Sequence, residues 1–212
     1  MGNSIIARAE RKCFLMRRKA RLKNKNPSVL SSNCNGAVML HDLGCRFNTP
    51  TVNLYMTAAD FLKFLADPDR YLGKLPEEIA AGEPFPVGRI DDITLYFMHF
   101  GSFPEARDKW AERSGRVDFD NLFIMMTDKN GCTEDDIAAF DALPYPHRVI
   151  FTHKPYPEYK SAYYIKGFED QAEVGVLSDW KPGFFKRRWL DQFDSAAFLN
   201  GKIYYFSGEE NK

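Results

Sequence analysis

The residues best suited to chemistry are one cysteine and two histidines, each close to the end of a predicted strand. Cys34 lies in the polar turn 31–36, and His99 and His153 end two later apolar runs. A cysteine whose proton passes to a histidine is a nucleophile. Alternatively, a histidine deprotonates a substrate hydroxyl directly, and Asn33 with the turn N–H groups stabilises an oxyanion. The purely structural alternatives are a Cys34 packed under its turn and a His99 bonded within the core.

A second group of residues is suited to binding rather than to bond breaking. Ser32 and Asn33 share the turn with Cys34, and Lys154 follows His153 directly. Arg113 fits a phosphate or carboxylate, with a surface ion-pair network as its alternative. Asp128 fits a sugar hydroxyl, with a turn cap as its alternative. The cysteines form no CxxC pair, and we predict no metal site.

The turn around Cys34 lies between a strand and a helix. Residues 29–30 predict a short buried strand, and residues 37–43 predict a short helix that ends at Gly44. Free N–H groups and the positive end of the helix dipole favour anions at such a point. The same surroundings lower the pKa of a cysteine, so we expect a reactive thiol at residue 34.

Strands alternate with helices along the chain, and Thr57, Ser102 and Thr133 are predicted to cap the starts of three helices. The predicted strands are 29–30, 50–55, 93–100, 121–126, 148–151, 174–177 and 202–206. This order predicts an α/β layered fold with a largely parallel central sheet, Rossmann-like in arrangement. Ligands bind outside the carboxyl ends of parallel strands, so we expect the candidate residues to meet at that edge. The aromatic stretch 156–165 is expected to form an insertion or flap.

Charge is distributed unevenly between the N-terminal segment and the rest. The chain is neutral overall, but residues 1–25 contain nine Lys or Arg and one acid, Glu10. Residues 5–22 predict a basic amphipathic helix, and its apolar stripe consists of Ile5, Ile6, Ala9, Cys13, Met16 and Ala20. Such a helix binds an anionic membrane surface. Alternatively, the stripe packs on the domain or on a second subunit, which leaves a homo-oligomer open.

Three segments follow from this distribution: the helix at 1–26, an α/β domain at 27–207 and a polar tail at 208–212. The 44% hydrophobic and 15% aromatic content supports a packed core. No apolar run is long enough to span a bilayer and no signal peptide is visible, so we expect a cytoplasmic protein, peripheral on the inner face of the membrane if residues 5–25 bind lipid.

Several enzyme signatures are missing. The chain contains no GxGxxG, Walker loop, HExxH or GxSxG. Their absence disfavours dinucleotide enzymes, P-loop NTPases, zincins and ordinary α/β-hydrolases. We predict no nucleic-acid partner.

A set of motifs across residues 28–206 resembles one bacterial family. They are Ser32-Asn33-Cys34-Asn35-Gly36, Phe47-Asn48-Thr49-Pro50-Thr51, Pro86-Val87-Gly88 with 93–100, Trp110-Ala111-Glu112-Arg113 with Arg116, Asp120-Asn121-Leu122-Phe123, 128–133, and Phe151-Thr152-His153-Lys154. Together they resemble the domain of unknown function 1919 family. The family pattern reads Ser-Asn-Asn-Cys with an aromatic residue before the glycine. In this sequence Ser32 stands in place of the first Asn of that pattern, and Asn35 stands in place of the aromatic residue.

The resemblance implies a role in exopolysaccharide, capsule or lipopolysaccharide biosynthesis. We therefore expect a transferase, with acyl transfer as the preferred reaction and a sugar or polysaccharide precursor as the acceptor. The sequence determines no cofactor, and either an acyl-CoA or a nucleotide-sugar donor is compatible with it. One alternative is glycosyl or phosphoglycosyl transfer, with Asp128, Arg113 and Lys154 handling phosphates or hydroxyls. Another is a non-catalytic protein that binds the precursor or scaffolds the pathway.

Overall fold

The structure is a computed structural model that describes residues 2–202, and side chains from residue 5 onward. The helices are α1 Gly2–Arg21, α2 Asn35–Leu43, α3 Ala58–Ala66, α4 Pro68–Leu72, α5 Phe103–Ser114, α6 Glu134–Asp141 and α7 Ser195–Leu199. The strands are β1 Ser28–Ser31, β2 Glu77–Glu78, β3 Val87–Ile90, β4 Ile93–Tyr96, β5 Leu122–Thr127, β6 Arg148–Thr152 and β7 Ala162–Tyr164. Short 3₁₀ turns cover Phe119–Asn121 and Trp189–Gln192.

A parallel sheet of four strands, in the order β1-β5-β6-β7, forms the centre of the fold. Its strands are buried on both faces, as β5 shows. Ile124 and Met126 pack into one apolar cluster with α3, α5 and α6, whereas Phe123 and Met125 pack into another with α2 and α7. Near-continuous apolar runs are typical of such two-sided burial. The predicted α/β fold with a largely parallel central sheet is confirmed.

Capping residues start and stop the helices at the predicted places. The hydroxyls of Thr57 and Ser102 accept the backbone N–H groups three residues later, at 3.1 and 3.4 Å, and begin α3 and α5. Thr133 begins α6 with a full capping box. Gly44 ends α2 with a φ of 74°, a left-handed conformation that glycine adopts without steric cost.

The predicted strand 93–100 is not part of the parallel sheet. It ends at Tyr96 as β4, in a small antiparallel sheet of order β2-β3-β4. A tight turn at Asp91, whose φ is 50°, folds β4 back on β3, and antiparallel strands need only such a short connection. His99 therefore lies in the loop that follows the hairpin, not at the end of a parallel strand.

The predicted strand 50–55 is wrong. Asn53 has a φ of 65°, which is incompatible with an extended strand. The segment is held beside β1 by a side chain instead, because the Thr51 hydroxyl accepts the Ser31 N–H at 3.0 Å. Only Tyr55 forms a bridge, to Tyr96.

The aromatic stretch 156–165 contains β7, the edge strand of the parallel sheet, and so is not merely a flap. Residues 174–177, read from sequence as a strand, form no strand. Apart from Lys202, the predicted strand 202–206 lies outside the described residues, as does the polar tail at 208–212.

Helix α1 packs on the domain against α2 and α7. Its Arg11 is buried, with Nη2 2.5 Å from the Asp42 carboxylate of α2 and Nη1 bonded to Asp191. Within residues 2–202, no helix combines the length and the apolar character that crossing a membrane requires.

Candidate active site at the carboxyl end of the sheet

The turn after β1 is held by hydrogen bonds that use most of its polar groups. The Asn33 amide donates to the Thr127 hydroxyl at 2.8 Å, which ties the turn to the end of β5, and its oxygen accepts the Asn35 N–H at 3.1 Å. Gly36 is needed there because a Cβ would come within 2.8 Å of the Ser31 Cβ. Asn33 keeps one amide N–H that these bonds do not use.

Cys34 is partly buried just before α2, and its thiol donates to the Leu54 carbonyl at 3.7 Å. Burial raises the pKa of this thiol, and hydrogen bonding with the backbone of Asn53 and Leu54 opposes the rise only in part. The direction is opposite to the one expected at a helix N-terminus. At neutral pH Cys34 is therefore a thiol, and it needs a base before it can act as a nucleophile.

Two neighbouring cavities open at this turn, and Cys34, His99 and Ser178 line both of them. The first, of about 420 Å³, we call the aromatic cavity. Its remaining lining consists of Asn33, Asn35, Tyr55, Glu83, Phe85, Met98, Lys129, Asn130, Gly175, Val176 and Leu177. The second, of about 360 Å³, we call the arginine cavity. Its remaining lining consists of Ala37, Val38, His41, Phe47, Val52, Asn53, Arg113 and Arg188.

The aromatic cavity has stacked rings beside polar groups. Tyr55 stacks on Tyr96 with ring centroids 4.5 Å apart, and Phe85 meets Tyr55 edge to face at 6.4 Å. Glu83, Asn33 and Asn130 supply hydrogen-bonding groups around them. Rings with a few placed polar groups are typical of small-molecule sites.

The arginine cavity is cationic, because Arg113 and Arg188 line it and none of the described residues in its lining is acidic. Arg113 is half-buried beside the Phe47 ring, with 5.9 Å between Cζ and the ring centroid. Its Nη1 is buried and bonds to no group among the described residues. Burial lowers the pKa of Arg113, yet a guanidinium stays charged at neutral pH.

Arg188 contributes a second guanidinium to this cavity. Its Nη1 donates to Asp42 at 3.2 Å, while its Nε is buried and has no partner among the described residues. Two arginines that line one cavity supply planar guanidinium groups, whose N–H donors match the oxygens of a phosphate.

His99 is exposed in the loop that joins the two cavities, and its backbone N–H donates to Asn53 at 3.3 Å. It is therefore not a core histidine. A base that lines the same cavities as Cys34 can take a proton from the thiol or from a bound hydroxyl.

His153 lies at the end of β6 beside Asp128 and lines neither cavity. Its Nδ1 is 2.5 Å from the Asp128 carboxylate, which also accepts the His153 N–H at 2.8 Å and the Val174 N–H at 2.7 Å. Asp128 is 5% exposed. Its bonds tie β5 and β6 to the segment at 174–178 that walls the aromatic cavity, so Asp128 acts as a positioning group there.

The other predicted binding residues are divided between the cavities and their surroundings. Asn33 and Arg113 line a cavity, whereas Ser32 and Lys154 do not. Ser32 is 3% exposed, and its hydroxyl has no partner among the described residues. The Lys154 Nζ lies 5.1 Å from the Tyr156 ring. Within residues 2–202, no group of three or more metal-binding side chains occurs.

Most residues that line the cavities were not predicted as site residues, among them Tyr55, Lys129, Ser178 and Arg188. Three of these have a signal in the sequence: Lys129 follows Asp128 directly, Tyr55 ends the predicted strand 50–55, and Ser178 follows the predicted strand 174–177. Arg188 reaches the arginine cavity from a loop, where no strand end or motif marks it.

Comparison with known proteins gives two findings. The family named Domain of unknown function (DUF1919) matches residues 5–200. An "Uncharacterized protein" of Haemophilus influenzae is 48% identical over 180 residues, which is 85% of this chain and 87% of that protein. The family match at residues 5–200 includes most of α1 as well as the sheet and both cavities. This chain belongs to the DUF1919 family.

Proposed function

We propose that this protein is a transferase of bacterial surface-polysaccharide biosynthesis, and that it moves an acyl group from a phosphate-bearing thioester such as an acyl-CoA to a sugar hydroxyl. The observation that carries the proposal is the position of Cys34 and His99, which both line the arginine cavity and the aromatic cavity. The polysaccharide pathway, whether for exopolysaccharide, capsule or lipopolysaccharide, rests on the family resemblance of the motifs.

The arginine cavity is the proposed place of the donor phosphates. Arg113 and Arg188 both line it, and none of the described residues that line it is a carboxylate. Charge-assisted bonds from arginine to phosphate are strong and directional. A donor held there by its phosphates brings its thioester to Cys34 and His99.

The aromatic cavity is the proposed place of the acceptor sugar. The faces of Tyr55 and Phe85 offer apolar contact to a sugar ring, and Glu83 and Asn130 offer hydrogen bonds to its hydroxyls. The acceptor hydroxyl then meets the thioester at the shared wall.

His99 is the proposed base for the transfer. It takes the proton of the acceptor hydroxyl, whose oxygen attacks the thioester carbonyl, and the remaining amide N–H of Asn33 donates to the oxyanion. The C–S bond then breaks, and the departing thiolate takes the proton from His99. Acyl thioester and alcohol thus become ester and free thiol.

A covalent route through Cys34 gives the same products in two steps. In the first step His99 takes the thiol proton, the Cys34 sulfur attacks the thioester carbonyl, and the donor C–S bond breaks; the departing donor thiolate takes the proton from His99. In the second step His99 takes the proton of the acceptor hydroxyl, whose oxygen attacks the acyl-cysteine, and the Cys34 sulfur leaves and regains the proton. The raised pKa of Cys34 favours the direct route, in which Cys34 stays protonated.

Glycosyl transfer from a nucleoside diphosphate-sugar is the second candidate. The two arginines of the cationic cavity favour it, because their donors also match a diphosphate. Of the three residues expected to serve that reaction, only Arg113 lines a cavity; Asp128 is bonded to His153 and Val174, and Lys154 lies outside.

The test measures thiol release from acetyl-CoA with UDP-N-acetylglucosamine as a trial acceptor, together with the intact mass of the protein. His99→Ala should lower the rate about 100-fold or more, the usual share of a general base. Cys34→Ala should keep the rate on the direct route and abolish it on the covalent route, where wild type also gains one acetyl group. Cys13→Ser, an exposed cysteine on α1, is the matched control.

Release of UDP without release of thiol would replace acyl transfer with glycosyl transfer. If neither product forms across acyl-CoA and nucleotide-sugar donors, while titration calorimetry still records binding of the nucleotide-sugar, the protein is a precursor-binding protein and the transferase proposal fails.

A further inference from the structure

The apolar stripe of α1 faces away from the domain. All six of its residues are exposed, namely Ile5, Ile6, Ala9, Cys13, Met16 and Ala20. The exposure of its largest side chains is 67% for Ile5, 56% for Ile6 and 51% for Met16. At 3.6 residues per turn these positions fall within an arc of about 100°. The helix packs on the domain through its other side, where Ala7 and Arg11 are buried.

Basic residues border the stripe on both sides. Arg8, Lys12 and Lys19 lie on one side and Arg17 on the other, all exposed. None of these four forms an ion pair among the described residues. Glu10, the one acid in residues 5–25, pairs with Arg187 of the domain instead. The outward face of α1 is thus apolar along its centre and positive along its edges.

We propose that this face of α1 binds an anionic lipid surface, with the helix lying in the plane of the membrane interface. An apolar strip with flanking Lys and Arg is the pattern of an interfacial helix, where the strip enters the acyl boundary and the bases meet lipid phosphates. A second copy of the chain fits this face less well, because two such helices in contact would place two sets of Lys and Arg side chains, none in an ion pair, against each other.

Helix α1 is also bonded to the wall of the arginine cavity. Asp42 accepts from Arg11, on the domain-facing side of α1, and from Arg188, which lines that cavity. One carboxylate therefore joins α1 to the candidate site. The lipid proposal depends on α1 alone and does not require the transferase activity.

Co-sedimentation of the full chain with vesicles tests the proposal. Binding is expected to vesicles of phosphatidylcholine with 30% phosphatidylglycerol and not to pure phosphatidylcholine, and it should weaken as salt rises. Lys12→Gln/Arg17→Gln should weaken binding about 25-fold, since each basic residue near an anionic surface accounts for about fivefold. Ile5→Ser/Met16→Ser should weaken binding at unchanged net charge.

The matched control is Arg107→Gln/Lys160→Gln, which removes the same two charges from exposed positions outside α1. It should bind as wild type does, and circular dichroism confirms the folding of every variant. If the control loses as much binding as Lys12→Gln/Arg17→Gln, or wild type does not bind the anionic vesicles, the proposal is wrong. A dimer in analytical ultracentrifugation that Ile5→Ser/Met16→Ser dissociates, without vesicle binding, would assign the face to a second copy.

Discussion

Arg11 is the buried cation that joins α1 to the domain, and Arg11→Met tests how that helix is held. Its guanidinium bonds to the carboxylates of Asp42 and Asp191 from two other elements. Its Cζ also lies 5.4 Å from the rings of both Phe14 and Trp180. Methionine retains most of the apolar stem but removes the charge and all of the donors.

The expected loss in the free energy of unfolding depends on the hydrogen bonds that each carboxylate retains. Breaking a buried ion pair by removing one partner costs about 3–5 kcal/mol. Here Asp191 still accepts the Arg188 N–H at 2.6 Å, and Asp42 still accepts from Arg188 Nη1 at 3.2 Å. Because neither carboxylate is left bare, we expect the lower end of that range, about 3 kcal/mol.

Urea denaturation followed by circular dichroism at pH 7 measures this cost. With an m-value of about 2 kcal/mol/M, the midpoint should fall by about 1.5 M. The matched control is Arg17→Met, the same change on the exposed side of the same helix, which should stay within about 0.5 kcal/mol of wild type. A loss below about 1 kcal/mol for Arg11→Met, or an equal loss for both variants, would refute the reasoning.

Two further predictions concern the turn at the start of α2. Because burial raises the pKa of Cys34, iodoacetamide at pH 8 should alkylate it more slowly than the exposed Cys13, as peptide mass spectrometry measures; faster alkylation of Cys34 would contradict a protonated thiol. Gly36→Ala places a Cβ 2.8 Å from the Ser31 Cβ and should lower the free energy of unfolding by about 1–3 kcal/mol. Gly115→Ala, whose Cβ meets nothing within 4 Å, is its control and should cost less than 0.5 kcal/mol in the same urea titration, about the size of an ordinary surface change.

Helix ends and buried strands could be predicted where residues close together in the sequence specify them. Thr57, Ser102 and Thr133 begin helices because their hydroxyls satisfy nearby N–H groups, and Gly44 ends one because it adopts a left-handed φ. The buried runs of β5 and β6 are equally local signals. These predictions depend on neighbours within a few residues, and the structure confirms them.

Strand partners could not be predicted in the same way. The run that forms β4 is as apolar as β5, but the turn at Asp91 pairs it with β3 rather than with the parallel sheet. Residues 50–55 have strand composition, but Asn53 has a positive φ, which an extended strand does not allow. The amino-acid composition of a segment indicates whether it is buried. Which strand it pairs with depends on the segment that lies beside it in the fold.

The candidate site shows the same division. Cys34, Asn33 and His99 were predicted and meet at the cavities, but the structure pairs His153 with Asp128 outside them. Arg188 could not be predicted as a site residue, because it reaches the arginine cavity from a loop that is distant in the sequence.

The sequence by itself determined the α/β class, the caps, the polar turn before α2 and the basic helix with an apolar stripe. Only the tertiary structure decided that this stripe faces outward, since the opposite face of α1 finds Asp42 and Asp191 on other elements. It also decided that the pKa of Cys34 is raised rather than lowered, because burial outweighs the hydrogen bonds with the backbone of Asn53 and Leu54. Periodicity and capping are properties of neighbouring residues, while burial and charge pairing arise only when separate segments pack together.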